Sequence, residues 1–200
     1  MRNLLIGLAV LMVFAVSSPA LASFSVSLVP DTLNIAPGST VNVSVNMSDS
    51  PGFTMTAISA VILYDPAVFT YVDPSVVKGA FLTPAWDLWT GTEIAGQLRV
   101  GGMIWDEPFS AQVPAGAGTL FTFTLLANTN APLGASALNW GDAGNGVGFD
   151  YGDANFQDVL VPSSGASINV NVAPVPIPAA VWLLGSGLLG LVGLRRKFSK

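Results

Sequence analysis

The residue types in this sequence restrict the chemistry that the protein can perform. Its 200 residues include no cysteine and no histidine. The absence of cysteine excludes disulfides, thiol nucleophiles and iron–sulfur clusters. The absence of histidine excludes Ser-His-Asp and Cys-His catalysis and the usual zinc sites. Any catalytic site would have to be built from carboxylates, hydroxyls and a few lysines.

Two short patterns match parts of known catalytic sites. Ser75 and Lys78 have the Ser-x-x-Lys spacing of penicillin-binding enzymes, but Lys78 is the only lysine between residues 23 and 173, and that chemistry needs a second one. Asp106 and Glu107 are adjacent, so in an extended chain they point to opposite faces and cannot form a glycosidase pair. We predict that neither pair is catalytic and that the protein is not an enzyme.

Residues 141–158 form a glycine-rich, acidic segment. Its candidate metal ligands are four carboxylates, at Asp142, Asp150, Asp153 and Asp158. Oxygen ligands on a flexible loop suit calcium, but Asp158 occupies the position where an EF-hand loop needs its glycine. The segment is therefore either a calcium site or a solvated acidic loop, and we favour the solvated loop. No other cofactor is indicated.

Trp86 and Trp89 follow Pro84 in a stretch that resembles a loop. An aromatic ring that is exposed can stack on a sugar, so these two are the candidate glycan contacts. The alternative is that they fill the core or cover its ends, where a large aromatic side chain buries the most area.

The N-terminus has the three parts of a secretory signal peptide. Arg2 supplies the positive charge, residues 4–16 form an apolar run, and Ala20 and Ala22 give a small-x-small cleavage pattern. We predict a signal peptide over residues 1–22, since an apolar run of thirteen residues is shorter than the ~20 residues of a membrane span. The mature chain would begin at Ser23.

The C-terminus combines a proline-rich motif, an apolar helix and a basic tail. Residues 179–194 carry no charge and are rich in glycine, and the predicted helix is shorter than a ~30 Å hydrocarbon core requires. The basic residues after it are expected to stay in the cytoplasm. The residues of the motif and of the basic cluster are Val175, Pro176, Ile177, Pro178, Ala179, Arg195, Arg196 and Lys197.

This tripartite segment, residues 174–200, resembles the PEP-CTERM class of bacterial sorting signals, and within it the Val-Pro-Leu-Pro-Ala variant. The resemblance implies handling by an exosortase, a membrane transpeptidase that cuts near the motif and passes the protein to the cell surface. It also implies a Gram-negative bacterium that makes exopolysaccharide. We therefore expect an inner-membrane intermediate with its N-terminal part outside and its C-terminus in the cytoplasm, followed by release to the surface or the extracellular matrix. A plain membrane anchor is the alternative.

The segment between the two ends, residues 23–173, is strongly acidic. It contains two of the seven basic residues, Lys78 and Arg99, and all twelve acidic residues, so its net charge is 2 − 12 = −10. Nucleic acid is excluded as a partner because phosphate binding needs the opposite sign.

The same segment shows the period of β-strands. Residues 40–47 alternate between apolar and polar side chains, as do residues 24–28, and a more continuous apolar run at 57–64 is typical of a buried strand. Further strands are predicted at 97–104, 119–127, 135–140 and 167–172, with turns at 50–52 and 114–118 among others. The interior side chains are predicted to be Val41, Val43, Val45, Ile62, Phe121, Phe123 and Leu125.

Three pieces of this segment occur in the order found in the cohesin-like family, which is related in fold to carbohydrate-binding modules. They are residues 36–41 (APGSTV), the pair 63–66 (LYDP) and 76–79 (VVKG), and residues 115–123 (AGAGTLFTF). The resemblance implies an all-β, nine-stranded jelly-roll sandwich over residues 23–173. It does not by itself imply binding of dockerin, the cohesin partner in cellulosomes.

The sequence thus predicts a non-catalytic, exported surface protein. It would present one β-sandwich for adhesion or for association with exopolysaccharide or another surface protein. The alternative is a carbohydrate-binding module that uses Trp86 and Trp89 as an aromatic platform.

Overall fold

The computed structural model describes residues 24–142 and 148–171. The strands of the first half are β1 (Ser25–Pro30), β2 (Asn34–Ile35), β3 (Thr40–Met55), β4 (Ala57–Leu63), β5 (Phe69–Tyr71), β6 (Val77–Lys78) and β7 (Asp87–Gly91). Those of the second half are β8 (Gln97–Met103), β9 (Ala111–Ala127), β10 (Gly134–Trp140), β11 (Phe149–Gly152), β12 (Asp158–Leu160), β13 (Ser163–Ser164) and β14 (Ala166–Val170).

The all-β prediction is confirmed, because these two ranges contain strands and no helix. The predicted number of strands differs from the observed fourteen segments. The additional segments are mostly edge strands of two to five residues, which are too short to show a period in the sequence.

The two sheets pack as a sandwich. The first has the order β13-β1-β3-β9-β5, with β6 also paired to β9. The second has the order β12-β11-β4-β10-β14-β2, and β8 and β7 extend it from the other edge of β4. The chain crosses from the first sheet to the second at Thr56, whose backbone N–H donates to the carbonyl of Gly152 at 2.8 Å.

Strands β3 and β9 form the longest pairing of the fold, and both run through residues that the sequence predicted to be turns. The pairing extends from Thr40 opposite Leu126 to Met55 opposite Ala111. The predicted turn at 50–52 is wrong, because the strand bends there instead of ending: its register shifts between residues 47 and 50, and Gly52 has φ +79°. The predicted turn at 114–118 likewise lies inside β9. Bulges of this kind bend a strand and keep its pairing.

The core lies between the two sheets, as the alternation of β3 predicts. On the second sheet it is completed by residues such as Ile58, Leu98 and Leu138. The seven side chains predicted to be interior are all buried, which confirms the predicted inward face of these strands: Val41, Val43, Val45, Phe121, Phe123 and Leu125 on the first sheet and Ile62 on the second.

The predicted signal peptide (1–22), sorting motif (175–179), apolar helix (179–194) and basic cluster (195–197) lie outside the described residues. Within the described ranges, no helix is long and apolar enough to cross a membrane.

Candidate functional site

The second sheet has a surface that faces away from the core and is exposed at Trp89, Arg99 and Leu160. We call this surface the outer face. A row of residues at matched positions on five neighbouring strands crosses its centre. From β7 to β12 the register places them in this order: Trp89, Gly101, Ser59, Asp150 and Leu160. At about 4.8 Å between strands, the row is about 19 Å wide.

Trp89 is the main apolar group at one end of this row. Its side chain is 49% exposed. The indole lies over Gly101, so closely that a Cβ at Gly101 would be 2.4 Å from two ring atoms. The glycine thus provides the space in which the ring lies flat on the strand, and the other half of the ring remains available to a partner.

A shallow hollow of about 200 Å³ lies beside this ring. Trp89, Arg99, Ser59 and Gly101 border it, together with neighbouring residues of β4 and β8. Arg99 is exposed and is one of the two basic side chains between residues 23 and 173. Trp and Arg are the residue types that most often contribute large shares of binding energy at protein interfaces.

The opposite end of the outer face is also apolar. Leu160 on β12 is 50% exposed. Two further aromatic side chains, Trp105 after β8 and Phe156 between β11 and β12, are more exposed still. The loops that carry Trp105 and Phe156 follow Met103 of β8 and Gly152 of β11, which lie at the same end of their strands. These two loops therefore border the outer face at that end of the strands. The outer face therefore has apolar groups at both sides and a cation, Arg99, on the strand next to Trp89.

Trp86 does not belong to this surface. It is 1% exposed and packs in the core. Lys78 anchors the segment that carries it, because the Lys78 Nζ donates to the carbonyl oxygens of Pro84 at 3.0 Å and of Trp86 at 2.7 Å. Trp86 and Trp89 therefore do not form the two-ring platform that the sequence suggested. Trp89 also lies on strand β7 and not in a loop.

The acidic segment 141–158 contains the β11–β12 hairpin within its described part, so the prediction of a continuous loop is corrected there. Asp153 caps the hairpin turn: its Oδ1 accepts the backbone N–H groups of Asn155 at 2.8 Å and Gln157 at 2.9 Å. The N–H of Gln157, followed by that of Asn155, lowers the pKa of the exposed Asp153 carboxyl. This is the behaviour of a turn residue.

The other three candidate calcium ligands lie at different places. Asp150 is 5% exposed and belongs to the outer face, and Asp158 is opposite Gly152 at the start of β12. Asp142 follows β10. Within residues 24–142 and 148–171, no three His, Cys, Asp or Glu side chains are grouped as a metal site requires. That residues 141–158 are a solvated acidic segment, with a calcium site as the alternative, stays a prediction.

The residues of the two short catalytic patterns hold strands and turns in place or are exposed in a loop. The Ser75 Oγ accepts the backbone N–H of Thr124 at 2.9 Å, which attaches the segment before β6 to β9. Lys78 is directed to the carbonyls of Pro84 and Trp86, as described above. Asp106 and Glu107 are exposed in the loop after β8, where the Asp106 carbonyl accepts the N–H of Phe109 at 2.7 Å.

Sequence reasoning missed several members of the outer face. Arg99 and Leu160 lie on strands whose register depends on partners far away in the chain. Trp105 had a local signal, since it precedes an Asp-Glu-Pro turn directly after a predicted strand, but the exposure of its side chain depends on the loop conformation.

Comparison with known families gives one match that covers most of the chain. The family model described as "Cohesin domain" matches residues 26–170. These bounds coincide with the sandwich from β1 to β14. No curated protein gives a significant match.

Solved structures show the same fold. The sixth cohesin of scaffoldin B from Acetivibrio cellulolyticus, solved with a Cel5 dockerin variant, shares 21% identity over 75% of this chain and 100% of its own, with a TM-score of 0.59. The cohesin CaCohA2 of Clostridium acetobutylicum, in a complex with CaDoc0917, shares 25% identity over 74% of this chain and 100% of its own, with a TM-score of 0.57. A non-cellulosomal cohesin of Archaeoglobus fulgidus shares 18% identity over 80% and 96%, with a TM-score of 0.53.

Proposed function

Because the chain belongs to the cohesin-domain family, we propose that it is a non-catalytic binding module that docks a protein partner on the outer face. The observation that carries this proposal is the arrangement of a half-exposed Trp89 and a half-exposed Leu160 at the two ends of one row, with Arg99 beside it. The Trp89 ring already lies against Gly101 on a rigid sheet, so it loses little conformational entropy when a partner covers it.

A protein fits this surface better than a glycan does. One ring of the suggested pair, that of Trp86, is in the core, so a planar two-ring platform is not available. The remaining groups differ in type and are spread over about 19 Å, which suits a partner with its own complementary side chains. The net charge of −10 between residues 23 and 173 favours a partner surface that is neutral or basic.

We infer the location of this module from the sequence of the two ends of the chain, which predicts export. In this proposal residues 1–22 direct export, and the segment 174–200 holds the chain in the inner membrane until an exosortase processes it at the motif 175–179. The cohesin domain then reaches the cell surface or the extracellular matrix, where it contributes to adhesion or associates with exopolysaccharide or another surface protein. Mass spectrometry of the protein from its native surface tests the processing step, since an intact Lys200 would refute it.

Dockerin modules are the first partners to test, because two of the similar cohesins were solved in complexes with them. The experiment is calorimetric titration of the full chain with purified dockerin modules. Binding on the outer face predicts that Trp89→Ala weakens the affinity at least about tenfold. The matched control is Val29→Ala, which truncates an exposed apolar side chain on the opposite sheet. Equal losses in the two variants would refute the outer face as the site.

A further inference from the structure

A second surface lies at the end of the second sheet where β8 and β11 stop. Met103, the last residue of β8, is opposite Ala57 of β4, and Ala57 is opposite Gly152, the last residue of β11. The loops that follow, residues 104–110 and 153–157, therefore leave the sheet side by side, two strand spacings or about 10 Å apart. We call this part of the surface the loop end.

Both loops contain the same turn. The backbone carbonyls of Asp106 and Asp153 each accept the N–H of the phenylalanine three residues later, Phe109 at 2.7 Å and Phe156 at 3.0 Å. The two phenylalanines have φ +56° and φ +58°. A turn that ends in left-handed backbone normally has glycine there, because this conformation is strained for a residue with a side chain. Two different sequences, Asp-Glu-Pro-Phe and Asp-Ala-Asn-Phe, thus hold a phenylalanine where glycine would be relaxed.

The side chains of these strained residues are exposed. Phe109 is 41% exposed and Phe156 67% exposed, and Trp105 on the first loop is 61% exposed. Among the large aromatic side chains that are exposed in the described ranges, the only one elsewhere is Trp89. Backbone strain that brings an aromatic ring into solvent does not serve packing, so it points to a use of the ring in binding. The loop end therefore presents a group of aromatic side chains to a partner.

The loop end is also acidic. Arg99 lies four positions before Met103 on β8, about 13 Å away along the strand, and the Lys78 Nζ donates to two backbone carbonyls. These are the two basic side chains of the described residues, so neither is placed to balance the acidic groups. The carboxylates lie at the starts of β7 and β12 and in the two turns: Asp87, Asp106, Glu107, Asp153 and Asp158.

Aromatic rings beside carboxylates suit a cationic partner. A guanidinium group stacks on the face of a tryptophan or phenylalanine ring and forms paired hydrogen bonds with a carboxylate. Anionic lipid is repelled by the same carboxylates, and a neutral glycan leaves their charge unbalanced. The combination of groups at the loop end therefore selects a basic partner.

We propose that the loop end binds an arginine-rich segment of a partner protein. The rings of Trp105, Phe109 and Phe156 stack on guanidinium groups, and the neighbouring carboxylates pair with them. Met103 and Gly152 lie two residues beyond the row that crosses the outer face, about 7 Å along the strands. The loop end is thus a separate contact surface, and binding there does not require Trp89.

The test is titration of a fluorescently labelled arginine-glycine repeat peptide with the full chain, held in neutral detergent micelles, and the readout is anisotropy. The same peptide with citrulline in place of arginine lacks the charge and should bind at least about tenfold more weakly. The variant Trp105→Ser/Phe156→Gly should weaken binding of the arginine peptide at least about tenfold. The matched control is Leu133→Ser, which changes an exposed apolar side chain near the opposite end of the sheet and should leave binding unchanged. Loss of binding in Trp89→Ala but not in the loop-end variant would overturn the proposal.

Phe156→Gly separates a role in binding from a role in the fold. Glycine relieves the left-handed backbone at this position, so the Tm should stay unchanged or rise while the affinity for the peptide falls. A lower Tm together with unchanged affinity would assign the ring to the fold and overturn its role in binding.

A pair of charge variants tests whether the attraction is local. Glu107→Gln and Glu93→Gln remove the same charge at opposite ends of the second sheet, because Glu93 precedes Gln97, which is opposite Leu63. Glu107→Gln alone should weaken binding, by about twofold to fivefold. Equal losses would show attraction by net charge only and would overturn the proposal. So would binding of phosphatidylcholine vesicles or of a neutral oligosaccharide that depends on Trp105 when the arginine peptide does not bind.

Discussion

The contact between Trp89 and Gly101 allows a quantitative test of the outer face. Gly101→Ala places a Cβ 2.4 Å from the indole, so the ring must leave the strand. A tryptophan buries roughly 200 Å², and this one is 49% exposed, so about 100 Å² becomes exposed to water. At about 25 cal/mol per Å² this costs about 2.5 kcal/mol. Replacing a strand glycine by alanine returns about 0.5–1 kcal/mol. The net loss is about 1.5–2 kcal/mol.

A double-mutant cycle isolates this contact. In the wild-type background, Gly101→Ala should lower the Tm by about 3–8 °C and shift the Trp89 emission to the red. In a Trp89→Ala background the indole is absent, so Gly101→Ala displaces no ring. Only the gain from replacing a strand glycine by alanine remains, and the change should be neutral or stabilising. Gly91→Ala on β7 is the matched control, since its nearest neighbour is the flexible carboxylate of Glu93. Equal destabilisation by Gly101→Ala in both backgrounds would refute the reasoning.

Four further predictions concern the turn, the core and the calcium site. The pKa of Asp153 is lowered in the folded state, so the Asp153 carboxylate stabilises the fold above its ordinary pKa of 3.8 and ceases to do so as the pH falls through the folded-state value. The Tm difference between wild type and Asp153→Asn should therefore shrink on acidification below about pH 4. Lys78→Met removes two hydrogen bonds to carbonyls and should lower the free energy of unfolding, measured in urea, by about 1–2 kcal/mol. The emission maximum of Trp86 should shift to longer wavelength. Phe123→Ala should cost about 3–5 kcal/mol in the same assay. Melts in millimolar calcium and in chelator should coincide, and a calcium-dependent rise abolished by Asp153→Ala would instead establish the metal site.

The sequence predicted the parts of the fold that depend on local alternation. Residues 40–47 and 119–127 have the period of a half-buried strand, and that period identified the core side of the first sheet. The predicted turn at residues 50–52 was wrong because Pro51 and Gly52 are compatible with both a turn and a bulge. Which of the two forms depends on β9, whose pairing continues beyond them, and no local pattern reports that.

The candidate site was less predictable because neighbours on the sheet are distant in the chain. The row of the outer face joins residues from 59 to 160, and its composition follows from the register of five strands. Trp86 and Trp89 are separated by three positions, yet one is in the core and the other on the surface. The difference arises from contacts of Lys78 and Gly101, which the local sequence does not reveal.

The central claim is that the outer face binds a protein partner, and site-specific photocrosslinking on cells that make the protein tests it most directly. A photoreactive residue is introduced at Trp89 or Leu160 on the outer face, or at Val29 on the opposite sheet, and adducts are identified by mass spectrometry. We predict one discrete protein adduct from positions 89 and 160 and none from position 29. Adducts that are absent from both outer-face positions, or that form equally at Val29, would contradict the account.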